Sequence, residues 1–182
     1  MKNHLICTLV LFICQSCIPL RIAPNIQTYK ISKGKKFKRG LPKRQMFIFE
    51  DTKQAGAFYD YVNIKYELND IDVYDDIPFQ IAGQEYFFSF YEIDIPDKSV
   101  NFLPVLFEQA INAALHIEDD NNAEPKEIRK DNFYIAIEVY SDIEKDCLSS
   151  EALSKESVLK YLSNLRQEYL TTKNYNELVF KN

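Results

Sequence analysis

The stretch YFFSFYEIDI, residues 86–95, decides the fold. It is aromatic or aliphatic on both faces almost without a break as far as Tyr91, and Pro96 ends it. A strand wet on one side alternates apolar with polar residues, whereas a run that is apolar on both sides belongs in the middle of a sheet. The rest of the chain is expected to build around this central strand.

Working outward, Phe79–Ala82, a turn at Gly83 and Gln84, and Glu85–Ile95 read as a hairpin. FYIAIEVY, residues 133–140, alternates strictly. Phe133, Ile135, Ile137 and Val139 are expected to face the core, and Tyr134, Ala136, Glu138 and Tyr140 a half-wet side. Met46–Phe49 and Gln27–Ser32 add two short strands. Three segments have helical periodicity. The first follows Asp51 and runs to about Tyr66, with Asp51 and Gln54 spaced as a capping box and Gly56 inside the helix at a cost of about 1 kcal/mol. The second starts at Asn101 and carries Leu103, Leu106, Phe107, Ala110, Ile111, Ala114 and Leu115. The third spans Ser154–Leu170, and a tail from Asn174 follows it. The expected fold is α+β, a mostly antiparallel sheet of about five strands packed with three helices.

Charge divides the chain. Residues 1–49 hold ten Lys or Arg and no acid, giving +10, while residues 50–182 sum to −15. Most of the positive charge lies in KGKKFKRGLPKR, residues 33–44, where Lys33, Lys35, Lys36, Lys38, Arg39, Lys43 and Arg44 are broken up by Gly34, Gly40 and Pro42. That composition reads as a basic loop or arm.

The first seventeen residues, MKNHLICTLVLFICQSC, carry one cation at Lys2, an apolar block from Leu5 to Ile13, then Gln15, Ser16 and Cys17. The apolar block is well short of the roughly 20 residues that cross a bilayer, and the order of features is that of an export signal. It resembles the signal peptide of a bacterial lipoprotein: small Ser16 precedes Cys17, although Cys14 stands where that family usually has an aliphatic residue. The resemblance implies cleavage of residues 1–16, lipid on Cys17, residues 17–44 as a lipidated tether and basic arm, and residues 45–182 as a single acidic domain. It also implies a place in the bacterial cell envelope. Residues 18–20 carry no acid, unlike the acidic tract that marks surface export in some lipoproteins, so a periplasm-facing position is expected.

Behind an export signal the basic run loses nucleic acid as a partner. A membrane surface takes its place, since cations near an anionic leaflet gain about 1 kcal/mol each. The alternatives left open are a solvated loop and a segment folded against the acidic body.

Little in the chain points to catalysis. Loss of residues 1–16 leaves one histidine, His116, at an expected helix end, and with lipid on Cys17 the one free cysteine is Cys147, so no intramolecular disulfide is expected. Four scattered glycines exclude the usual phosphate-cradling loops. The acidic loops, with Asp70, Asp72, Asp75 and Asp76 in one and Glu118, Asp119, Asp120, Asn121 and Asn122 in the other, lack the ligand progression of an EF-hand. No metal and no cofactor are expected. Two functions remain: a non-catalytic binding or assembly module with an envelope protein as partner, or a small envelope hydrolase using a carboxylate pair.

Overall fold

The computed structural model describes residues 18–101, 105, 126–173 and 175. Their contacts divide into two compact units, one of residues 1–24 and 95–132, the other of residues 25–94 and 133–182.

In the larger unit the expected fold is present: a five-stranded antiparallel sheet with three helices. Naming strands in chain order, this sheet consists of β2 (Lys30–Lys33), β3 (Gln45–Asp51), β4 (Ile77–Ile81), β5 (Gln84–Asp94) and β8 (Phe133–Tyr140), in the order β2-β3-β8-β5-β4. β5 and β8 pair from Phe87↔Tyr140 to Asp94↔Phe133, so the two strands with the strongest apolar patterns are neighbours, but the middle strand is β8 and β5, expected there, lies beside the edge strand β4. The hairpin turn falls at Ala82 and Gly83, one residue before the expected place, and both have positive φ. That is the two-residue loop whose twist suits an antiparallel pair.

One face of the sheet packs against α2 (Ala57–Lys65) and α3 (Lys155–Thr171). Phe47 and Phe49 of β3, Phe88 and Phe90 of β5, and Ile135, Ile137 and Val139 of β8 meet Phe58, Tyr61 and Val62 of α2 and Val158, Leu162, Leu165 and Tyr169 of α3 in one buried cluster. Rings do much of the filling, often edge to face, as in Phe58 against Phe90 at 4.8 Å and against Tyr169 at 4.9 Å.

The opposite face departs from expectation. Tyr134 is 1% exposed, Ala136 0% and Glu138 5%, so this side of β8 is covered rather than half wet. The cover is the basic segment. Gly34–Phe37 forms a single helical turn, α1, directly after β2, and Phe37 sets its ring against Tyr134 at 5.4 Å. Gly34 is buried so closely that an added Cβ would lie 2.6 Å from Met46 Sδ and 2.7 Å from the Pro42 carbonyl. The arm expected over residues 33–44 is therefore a third layer of the larger unit, and the chain's contacts do not divide at residue 44.

Other expectations are also corrected. Asp51 closes β3 instead of capping a helix, and α2 begins six residues later. Gly56 is not interior but the residue before α2, at φ +80, a left-handed conformation that favours glycine. Ile18–Arg21 is strand β1 of the smaller unit.

The smaller unit holds a three-stranded antiparallel sheet, β1-β6-β7, with β6 at Asp97–Asn101 and β7 at Lys126–Lys130. The Asn132 side-chain amide donates to Asp97 and to the carbonyls of Ile95 and Lys130, and Asp97 also accepts the Ala23 N–H. Asn101 is thus the last residue of a strand. The body of the expected second helix, His116 and the loop Glu118–Asn122 lie outside the described residues, as do Cys17 and the tail apart from Tyr175.

Candidate functional site

The cations in residues 33–44 are of two kinds. Two point inward: Lys38 Nζ donates to the Asp94 carbonyl at 2.7 Å, and Arg44 Nη1 lies 3.2 Å from Glu138 Oε2 with its guanidinium over the Tyr140 ring. Tyr91 donates its hydroxyl to the other oxygen of Glu138 at 2.7 Å. Lys33, Lys35, Lys36, Arg39 and Lys43 are exposed and make no ion pair among the described residues. Folding has sorted a run of like charge into internal anchors and a free outer set.

A hydrolase of the expected kind would need two carboxylates side by side. Asp51 and Glu92 line one small cavity of about 140 Å³, beside Ala55, Phe133 and Tyr134. Burial pushes both carboxyls above their ordinary range. Each nevertheless has a structural task. Asp51 accepts the Lys53 N–H and takes the Tyr169 hydroxyl on both oxygens at 2.9 Å. Glu92 faces the N–H groups of Tyr59 and Gly56 at the start of α2, a helix without a capping side chain of its own. Glu144 does the equivalent for α3: it accepts the N–H of Leu153 at 2.7 Å and both the N–H and the O–H of Ser154, and the Ser154 hydroxyl holds its carboxyl below the usual range. A space of this size also falls short of the roughly 300 Å³ at which ligand pockets begin.

Lys53 completes the Asp51 group. Its ammonium donates to the carbonyls of Tyr169 and Thr172 at the end of α3 and to the Tyr175 hydroxyl, and it lies over both tyrosine rings. A cation placed on the last carbonyls of a helix caps them and opposes the helix dipole. Cys147 is fully buried, and burial raises its thiol, which marks it as a packing residue.

The acidic loop before β4 is pinned as well. Asp70 accepts from Tyr59 and from Asn63, Asp76 accepts the Tyr140 hydroxyl, and the Tyr74 carbonyl accepts the Phe90 N–H at 2.9 Å. Glu67, Asn69, Asp70, Asp72 and Asp76 all sit at positive φ. Among the described residues no three acidic, histidine or cysteine side chains converge on a point that would hold a metal ion.

Grooves large enough for a ligand include one of about 410 Å³ lined in part by Ile81, Tyr86, Glu144 and Ser154 and a second beside β5. About 510 Å³ in volume, the second lies between the turn Lys38–Leu41 and the loop residues Tyr74 and Asp75, with Phe90, Tyr91, Glu92 and Ile93 of β5 as its floor. The periodicity of the sequence gave no sign of it, because its walls come from segments some 35 residues apart that are neighbours only across the sheet.

Comparison with family models, curated proteins and solved structures finds no match to this chain.

Proposed function

We propose that this protein is a lipid-anchored component of the bacterial cell envelope, attached through Cys17, that works as a non-catalytic binding module. What supports the binding reading above all is the assignment of the carboxylates. Asp51, Glu138 and Glu144 each hold an N–H, a hydroxyl or a cation that the fold needs, and Glu92 faces N–H groups at the start of α2. The N-terminal signal pattern supports the anchor. No helix among the described residues is long and apolar enough to cross a membrane.

The basic segment then has a second role. Lys33, Lys35, Lys36 and Lys43 lie on a folded layer that begins sixteen residues after Cys17. Attraction to an anionic leaflet reaches about a Debye length, ~10 Å at 0.1 M salt, so these cations act only when the lipid has already brought the chain to the surface.

Fractionation of cells expressing wild type and Cys17→Ser tests the anchor: the wild type should sediment with membranes and take up labelled fatty acid, and the variant should do neither. Normal processing and membrane recovery of Cys17→Ser would overturn it. Replacing the four lysines together with glutamine should leave lipid labelling intact while making release by mild detergent easier.

A further inference from the structure

The groove beside β5 is an incomplete sheet edge. β4 pairs with β5 only from Gln84 to Phe88, so the second half of β5 has β8 on one side and no strand on the other. Backbone groups of an antiparallel strand point to alternate sides with a period of two. Phe90 sends its N–H to the open side, where Tyr74 accepts it, and Asp94 sends its carbonyl there, where Lys38 Nζ donates to it. Glu92 lies midway between them. Its N–H and C=O face the same side, and among the described residues neither has a hydrogen-bond partner. The edge is thus closed at both ends and open for one residue in the middle, on the floor of a 510 Å³ groove.

The side chains around this opening divide in the same way. Four of the residues lining the groove are charged. Lys38 is held by the Asp94 carbonyl and Glu92 by the start of α2. Arg39 on one wall and Asp75 on the other make no hydrogen bond or ion pair through their side chains among the described residues, and they do not pair with each other. Tyr74 is partly exposed between them, with its ring 5.0 Å from Phe90. Hydrogen bonds hold both walls: the Leu41 N–H closes the Lys38–Leu41 turn on the Lys38 carbonyl, with Gly40 at φ +104, and the opposite loop is tied to β5 and β8.

The geometry points to a peptide site: a short extended segment of a protein partner lies in the groove as an added strand, exchanging N–H···O=C bonds with Glu92, with an acidic side chain at Arg39 and a basic one at Asp75. Main-chain pairing of this kind gives affinity, and the flanking pockets give selectivity. Arg39 suits the anionic end because its fork grips a carboxylate through two donors. The proposal rests on the binding-module reading and names the partner's chemistry.

The test uses isotope-labelled full-length protein in detergent and an array of end-blocked hexapeptides carrying one Glu and one Lys at every spacing, in both orders. Binders should shift the amide signals of Glu92, Arg39 and Asp75 and slow hydrogen exchange at the Glu92 N–H. N-methylation of the peptide bond opposite Glu92 should weaken binding at least tenfold, and Arg39→Ala and Asp75→Asn should each weaken it threefold to tenfold with the remaining spectrum unchanged. Absence of any binder at millimolar concentration overturns the proposal. So does binding that survives N-methylation at every position, or that is retained by peptides carrying the Glu alone, which would make the groove a simple anion site. Membrane attachment plays no part in this assay, so loss of the anchor reading would leave its result standing.

Discussion

Arg44→Met asks whether the basic segment is held to the sheet by the contact assigned to it. Glu138 is 5% exposed and has two partners, Arg44 at 3.2 Å and the Tyr91 hydroxyl at 2.7 Å. Removing one member of a fully buried ion pair costs about 3–5 kcal/mol, because the other charge is left without compensation. The Arg44 side chain is 44% exposed, so water can take over part of its role, and exposed pairs contribute about 0–1 kcal/mol. The expected value lies between these limits, at about 1–2 kcal/mol. Loss of the guanidinium from the Tyr140 ring adds about 0.5 kcal/mol. In a chain of this length roughly 2 kcal/mol lowers Tm by about 4–8 °C, measurable by calorimetry. The segment should also loosen, so trypsin should cut at Lys35, Lys36 or Lys38 faster than in wild type. Lys43→Met is the control, since Lys43 is exposed, and it should change little. Adding Glu138→Gln to Arg44→Met removes the stranded charge and should restore at least half of the loss. If Arg44→Met and Lys43→Met have the same Tm and the same digestion rate, the docking of the segment does not depend on this pair and the reasoning fails.

Further consequences follow from the buried groups. Gly34→Ala places a methyl against Met46 and the Pro42 carbonyl, and overpacking of that kind should cost about 1–3 kcal/mol by denaturant titration; a neutral result would mean that the segment packs less tightly. Asp51 has its carboxyl raised by burial, despite the opposing Lys53 N–H, the Tyr169 hydroxyl and the charge of Lys53. A group whose pKa is higher in the folded state contributes stability that is complete below its unfolded value, about 3.9, and is lost as pH rises through the folded value. Wild type should therefore lose stability relative to Asp51→Asn between about pH 4 and neutrality, and a difference of opposite slope in urea melts would refute the assignment. Cys147 is 0% exposed with its thiol raised, so labelling by a thiol reagent should proceed at the rate of unfolding; fast labelling of the native protein would contradict its burial.

How far the sequence could be read depended on whether a feature was local. The strands of the main sheet were legible because each carries its own pattern, as in the alternation of Phe133–Tyr140 and the ring-rich run from Tyr86 to Tyr91. The sheet of the smaller unit was not, since DKSVN and KEIRK, the segments of β6 and β7, have no apolar run and become strands by pairing with each other. Gly56 illustrates a second limit. Its place in an apolar helical pattern made it look interior, whereas it stands just before α2, where the carboxylate of Glu92, 36 residues further along, faces the first N–H groups.

By itself the sequence determined the fold class, the strands of the main sheet and the split between a basic start and an acidic remainder, because periodicity and charge are properties of neighbouring residues. Tertiary structure decided what the charges do. Arg44 meets Glu138 across 94 positions and Tyr169 meets Asp51 across 118, and such pairings follow from strand order and register. The same packing turned seven cations of one run into inward anchors, an outer surface and one wall of a groove. Strand lengths left Glu92 with an open edge: β4 ends its pairing at Phe88 while β5 continues to Asp94, a mismatch visible only once the two strands lie side by side.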